Sequence, residues 1–217
     1  ELEPPFLCVV ISGGHTHLIH IKNYKKFEIL GKTRDDAIGE AFDKVARVVG
    51  LGYPGGPKID KLAKEGTPNI QLPKTHFDNL DFSFSGIKTA IISLHHKNPD
   101  VNKADLCASF EANVTEVLLE NVLKAAKELG INKIALAGGV SANSYIREKF
   151  LELEKNDACI IVQGKDKDLE KKLYDTAYLL INNNKKVKEL KQNAEHVCDK
   201  FSNVANNVAK NIIENLK

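Results

Sequence analysis

Two stretches of this sequence combine residue types that could hold an anion: Ser12-Gly13-Gly14-His15-Thr16 and Gly138-Gly139-Val140-Ser141-Ala142-Asn143. Paired glycines let the backbone approach a ligand closely, and successive N–H groups can form a nest for phosphate. In the first stretch Thr16 could add a hydroxyl; a plain hairpin turn is the other reading. The second lies between an apolar run and a helical pattern, so a ligand there would meet a helix N-terminus and its positive end. Asn143 could read a sugar hydroxyl or a base edge, or the helix could simply be capped by Ser141 or Asn143. A third stretch, Pro54-Gly55-Gly56-Pro57 followed by Asp60, joins a rigid bend to a carboxylate suited to ribose hydroxyls. Glu40 and Asp43 lie three apart on one helical face, and Lys44 is within i,i+4 reach of Glu40, which by spacing alone reads as an ordinary ion pair.

Those loops need elements to position them. Phe6-Leu7-Cys8-Val9-Val10-Ile11 is an apolar run of strand length, and Leu18-Ile19-His20-Ile21 resumes it beyond the glycines, which predicts a β-hairpin. A third strand is expected over 27–31. Thr33-Arg34-Asp35-Asp36 supplies N-cap residue types for a helix running to about residue 49, closed by Gly50 and Gly52. Residues 53–57 read as loop, with helix resuming over 59–64, and residues 66–86 as mostly irregular. Helices are predicted over 87–95 and 103–129, with Gly130 as C-cap, then a buried strand over 134–137 and a helix from about 142 to 153. That order predicts an α/β domain with a mixed sheet. Beyond residue 156 the chain turns rich in Lys and Asn, with helical patterns over about 168–182 and 184–215. Domains are therefore placed at 1–156 and 157–217, the second a helical tail.

Composition narrows the function classes. Thirty-one basic residues against 29 acidic leave a net charge of +2, which argues against a dedicated polyanion binder but allows a local basic patch. Cys8, Cys107, Cys159 and Cys198 form no C-x-x-C pair, so zinc-knuckle and thioredoxin-like readings fail and a reducing cytoplasm is expected. No window approaches the roughly 18 to 20 apolar residues of a membrane span, and no signal peptide opens the chain. Neither an H-E-x-x-H stretch nor a nucleophile–base pair supports a peptidase. The chain opens E-L-E-P-P-F and contains no methionine, so its first residue reads as something other than a translation start.

Taken together, S-G-G-H-T, D-D-A-x-G-E-A-F-D-K, G-Y-P-G-G-P, D-F-S-F-S-G-x-K-T-A, C-A-S-F and A-G-G-V-S-A-N, in this order, resemble the tRNA N6-adenosine threonylcarbamoyltransferases, formerly called O-sialoglycoprotein endopeptidases. The resemblance covers about residues 5–155. It implies part of an actin-like ATPase fold. It also implies transfer of a threonylcarbamoyl group from threonylcarbamoyl-AMP to N6 of the anticodon-adjacent adenosine, in tRNAs reading codons that start with A. By motif, Val10, Ile11, Ser12, Gly13 and Gly14 would line the acyl-adenylate (or ATP) site, and Asp43, Gly56, Asp60 and Asn143 would hold ribose and adenine. His15 could help orient the loop. Expected partners are tRNA and other subunits of a threonylcarbamoyladenosine-synthesis complex, with no membrane.

The family resemblance also implies a divalent metal, iron or zinc, acting on the carbonyl. Its H-x-x-x-H helix is not in this sequence. Where a C-x-D-N-A-A stretch should follow the helix ending near Leu153, the chain reads Asp157-Ala158-Cys159-Ile160-Ile161-Val162-Gln163-Gly164. His15, His17 and His20 offer no replacement, so no metal site is assigned and this chain is expected to be incomplete for catalysis. A non-catalytic interaction module is the alternative. The tail is faintly similar to the closing helices of two-domain glycosyltransferases, which leaves a glycosyltransferase remnant as a remote third reading.

Overall fold

The structure, a computed structural model, describes residues 3–155, 160–162 and Gln192. The tail helices expected over 168–215 and the boundary at 156 lie outside the described residues. A mixed sheet runs in the order β3-β2-β1-β4-β5. Strands β1 (Phe6–Ile11), β2 (Thr16–Asn23) and β3 (Lys26–Lys32) form an antiparallel meander; β4 (Lys133–Ala137) pairs parallel with β1, and β5 (Ile160–Val162) parallel with β4.

Strand β1 shows why one face of the sheet is the core side. Leu7, Val9 and Ile11 are fully buried, while Phe6, Cys8 and Val10 between them are only half-buried. The alternation follows from the two-residue period of a strand. On the core side pack α1 (Ile38–Val48), α2 (Gly55–Ala63), α3 (Ser85–Lys97), α4 (Lys103–Leu129) and α5 (Ser144–Lys155). Phe42 of α1 meets Phe110 of α4 edge to face, with ring centroids 4.9 Å apart. The register carries the second face from Cys8 across Ile19 to Ile29 and from Phe6 across Ile21 to Phe27. There Phe27 and Ile29 are exposed.

Two expected element boundaries need correction. Residues 33–36 do not cap α1. The helix starts at Ile38 behind Ala37, whose methyl group cannot accept a hydrogen bond, and the first N–H is taken by the fully buried Thr16 hydroxyl at 2.9 Å. Thr16 is therefore a cap from β2 and not an added hydroxyl in the glycine loop. Nor is 53–57 all loop, because α2 begins at Gly55. Pro54 stands at its N-cap and Pro57 in its first turn, where a missing N–H costs nothing.

Asp35 does its capping elsewhere. Its carboxylate accepts the Phe84 N–H at 2.9 Å and the Ser83 and Ser85 hydroxyls at 2.5 and 2.7 Å, closing the N-terminus of α3 from fifty positions upstream. Partial burial would raise this carboxyl, but those hydrogen bonds outweigh it and hold it below the usual carboxylate range. Asp36 sits between Lys44, at 2.7 Å, and Lys88, at 3.2 Å.

The irregular stretch between α2 and α3 is pinned along α4 by side chains. Asp105 accepts the Thr67 N–H, Ser109 the Ile70 N–H, and the Asn113 and Asn121 amides donate to the carbonyls of Leu72 and Leu80. A long segment without its own ladder is tolerable only when its polar groups are met in this way. Replacing Asp35 with Ala should cost about 2 kcal/mol, since it removes a cap and leaves orphan donors at the head of α3. Urea denaturation of both proteins measures it; an unchanged midpoint would mean the α3 cap contributes nothing.

Candidate functional site

Parallel pairing of β1 with β4 sets Val10 opposite Ala137, so the Ser12-Gly13-Gly14 and Gly138-Gly139 loops leave the sheet side by side. Their contact is tight. Gly138 has φ +93°, and a Cβ on it would fall 2.3 Å from the Ile11 carbonyl oxygen. Ser12 organises the first loop: its N–H donates to the His15 carbonyl at 2.8 Å, and its hydroxyl accepts the His15 N–H at 3.0 Å. The Ser12 carbonyl in turn accepts the Gly39 N–H at 3.1 Å, seating the head of α1 against the loop. A Cβ at Gly39 would meet the Gly13 backbone at 2.8 Å, so the approach needs glycine.

The remaining expected residues continue this chain of anchors. Asp43, on α1, accepts the Gly55 N–H at 2.7 Å and so caps α2. Lys44 beside it pairs with Glu40 at 2.7 Å, the ordinary ion pair that the spacing predicts. Asp60, on α2, accepts the Ser144 hydroxyl at 2.5 Å and its N–H at 3.3 Å, holding the head of α5. Asn143 caps α5 through an Oδ1 that accepts the Ile146 N–H at 2.9 Å, while its own N–H bonds the Val140 carbonyl. Between Gly138 and Asn143 runs a single 3-10 turn, Gly139–Ala142. Val10, Ile11, Ser12, Gly13, Gly14, Asp43, Gly56, Asp60 and Asn143 thus belong to one continuous assembly, although Asp43, Asp60 and Asn143 spend polar atoms on the protein itself.

The glycines divide into two classes. Gly39, Gly55 and Gly138 are required by close packing, for a Cβ on any of them would lie within 3.0 Å of a neighbour. Gly13, Gly14, Gly56 and Gly139 have nothing within 4 Å of an added Cβ and no positive φ. Nothing in the described fold asks for glycine at those four positions.

Sequence reasoning missed Glu111. It occupies the apolar stripe of α4 between Cys107 and Val114 and is 2% exposed, with its Oε1 accepting the Asn143 amide at 2.6 Å. Burial pushes its carboxyl up; the Asn143 hydrogen bond opposes this and Asp60 adds to it, leaving the group at about 7. The available signal was a carboxylate at a position where the helical period demands an apolar residue. Burial and Glu111 together push the Cys107 thiol up to about 12, so it stays protonated.

The described residues do not fit a metal. No group of three or more His, Cys, Asp or Glu among them could hold one. The His15 and His17 rings lie 5.4 Å apart at a tilt of 49°, but burial, His15 and Lys32 lower the His17 titration.

Two outcomes are expected. Gly138→Ala should destabilise the lobe by about 2 kcal/mol or more, and Gly139→Ala by less than ~0.5 kcal/mol, in thermal or urea melts; equal losses would contradict the division of the glycines. Glu111 titrates near 4.5 when unfolded and near 7 when folded. Across that window the folded chain keeps a proton that the unfolded chain has released, so stability falls as pH rises, by roughly 3 kcal/mol in all. Urea melts of Glu111→Gln should lack this loss, so its advantage over the wild type grows between pH values below and above the window. A constant difference would show that Glu111 titrates no differently in the folded chain than in the unfolded one.

Comparison with known proteins follows the same outline. A sequence model of the family described as tRNA N6-adenosine threonylcarbamoyltransferase matches residues 1–169. The protein of that name from Clostridium perfringens (strain SM101 / Type A) is 60% identical over 158 residues, covering 70% of this chain and 47% of that one. Its counterpart from Clostridium novyi (strain NT) is 53% identical over 165 residues, covering 72% and 48%. The chain therefore spans about half the length of these relatives. Among solved structures, full-length HypF in a phosphate- and nucleotide-bound form overlays with a TM-score of 0.62 at 15% identity, covering 75% of this chain and 37% of that one. That likeness shows the fold alone, and it is the actin-like ATPase fold that the motifs imply.

Proposed function

Because the chain belongs to the tRNA N6-adenosine threonylcarbamoyltransferase family, we propose that its paired glycine loops are the adenylate cradle of a threonylcarbamoyl transfer to tRNA. The donor would be threonylcarbamoyl-AMP and the acceptor N6 of the adenosine beside the anticodon. The reaction would be cytoplasmic and run with other subunits of a synthesis complex. One observation carries this reading. Gly13, Gly14, Gly56 and Gly139 leave open space at places where the fold itself would accept a side chain. Close approach of a ligand to the backbone would account for glycine at these positions, where packing does not.

The chemistry is attack by an exocyclic amine on an activated carbonyl, with AMP leaving. It depends on holding the donor in line and on stabilising the charge that collects on the leaving phosphate. The residues present supply the first of these. Ser12 fixes the turn that offers the Gly13 and Gly14 backbone, and a 3-10 turn leads from Gly139 through Asn143 to the head of α5. ATP is the simpler ligand of the same chemistry. Among the described residues there is no donor set for the iron or zinc that the family implies; a nucleotide-holding module of the same complex is the second reading.

Calorimetric titration with a stable threonylcarbamoyl-adenylate analogue tests the cradle. The wild-type chain should bind saturably, and Gly139→Val should bind about tenfold more weakly or worse at an unchanged melting temperature. No binding by a folded wild type would remove the cradle and leave an interaction module; full affinity in Gly139→Val would place the ligand elsewhere.

A further inference from the structure

Glu111 is buried on α4 and reaches the Gly138-Gly139 loop through its hydrogen bond with Asn143. Asn143 is the joint between the 3-10 turn that opens at Gly139 and the first turn of α5, and it is 8% exposed. Its amide donates to Glu111, its carbonyl oxygen accepts from Ile146 and its N–H reaches Val140, so it cannot shift without moving the loop. We infer that Glu111 is a positioning residue of the cradle, holding the Gly138-Gly139 loop through Asn143, and that it must carry its proton for an anionic ligand to bind at full strength. The inference rests on the adenylate reading.

The surroundings of the carboxyl give the direction. From α2 it faces Asp60 and Lys64, from α5 Tyr145, and along its own helix Cys107. Asp60 already places a carboxylate on the head of α5 through Ser144. Neutral Glu111 accepts the Asn143 amide and adds no charge. Ionised, it puts a second buried negative charge at the same loop, opposing both Asp60 and an incoming phosphate. Linkage is reciprocal: if loss of the proton weakens the anion, binding the anion strengthens hold on the proton.

The experiment measures binding of the methyl phosphodiester of AMP to the full chain by calorimetry. That ligand keeps a single negative charge throughout the range used, from about pH 5.5 to about pH 8.5. Wild-type affinity should fall about fivefold across the range, the scale of repulsion between two charges near a protein surface. Glu111→Gln should keep the low-pH affinity at both ends, because a neutral amide oxygen still accepts from Asn143. Glu111→Ala should bind more weakly than the wild type at low pH. A decline in Glu111→Gln equal to that of the wild type, or a flat wild-type profile, would overturn the role of Glu111 while the adenylate reading stands. No binding by folded wild type or Glu111→Gln at either pH would overturn that reading, and the inference with it.

Discussion

The close approach of Gly138 to the Ile11 carbonyl is the contact on which the lobe depends. It exists because β1 and β4, from opposite ends of the described chain, lie parallel and in contact, so both end at the same edge of the sheet. Parallel neighbours cannot be joined by a tight turn, and the connection here runs through the outer strands and four helices. What results is a sheet edge where two loops of unrelated sequence position present backbone to one space. Each subsequent anchor, from Ser12 to α1, from Asp43 to α2 and from Asp60 to α5, extends that edge without a new strand.

Those anchors share one physical device. A helix begins with N–H groups that have no partner within the helix. In this lobe only α4 and α5 are capped from their own flanking residues, by Asn102 and Asn143. The first N–H groups of α1, α2 and α3 find Thr16, Asp43 and Asp35, all on other elements. Polar groups that would otherwise need solvating instead lock one element to the next, and the same residues recur in the motifs that carry the family resemblance.

This also explains what could be read in advance. The hairpin, the mixed sheet, the long α4 with its Gly130 cap and the strand delivering Gly138-Gly139 followed from periodicity and turn residues, which are local properties. The cap of α5 at Asn143 was legible for the same reason. The starts of α1 and α2 were not, because Thr33-Arg34-Asp35-Asp36 and Pro54-Gly55-Gly56-Pro57 have the right types for a cap and a loop. Their partners lie twelve to fifty positions away in sequence. Asp60, Asp43 and Asn143 were picked by motif, yet their bonds to Ser144, Gly55 and Glu111 required the fold. Glu111 itself was visible only as a charge in an apolar stripe.

The bond from Asp35 to the head of α3 has a consequence for the order of events in folding. α3 has no cap of its own, and its N–H groups are met only once the turn after β3 has come to rest beside Ser83 and Ser85. Closing that fifty-residue loop is an entropic cost borne before the helix gains anything from it. The helix is therefore a latecomer, and it and the turn rise and fall together as one cooperative unit instead of fraying separately. A side chain that looks like a local punctuation mark sets the timing of an element half a domain away.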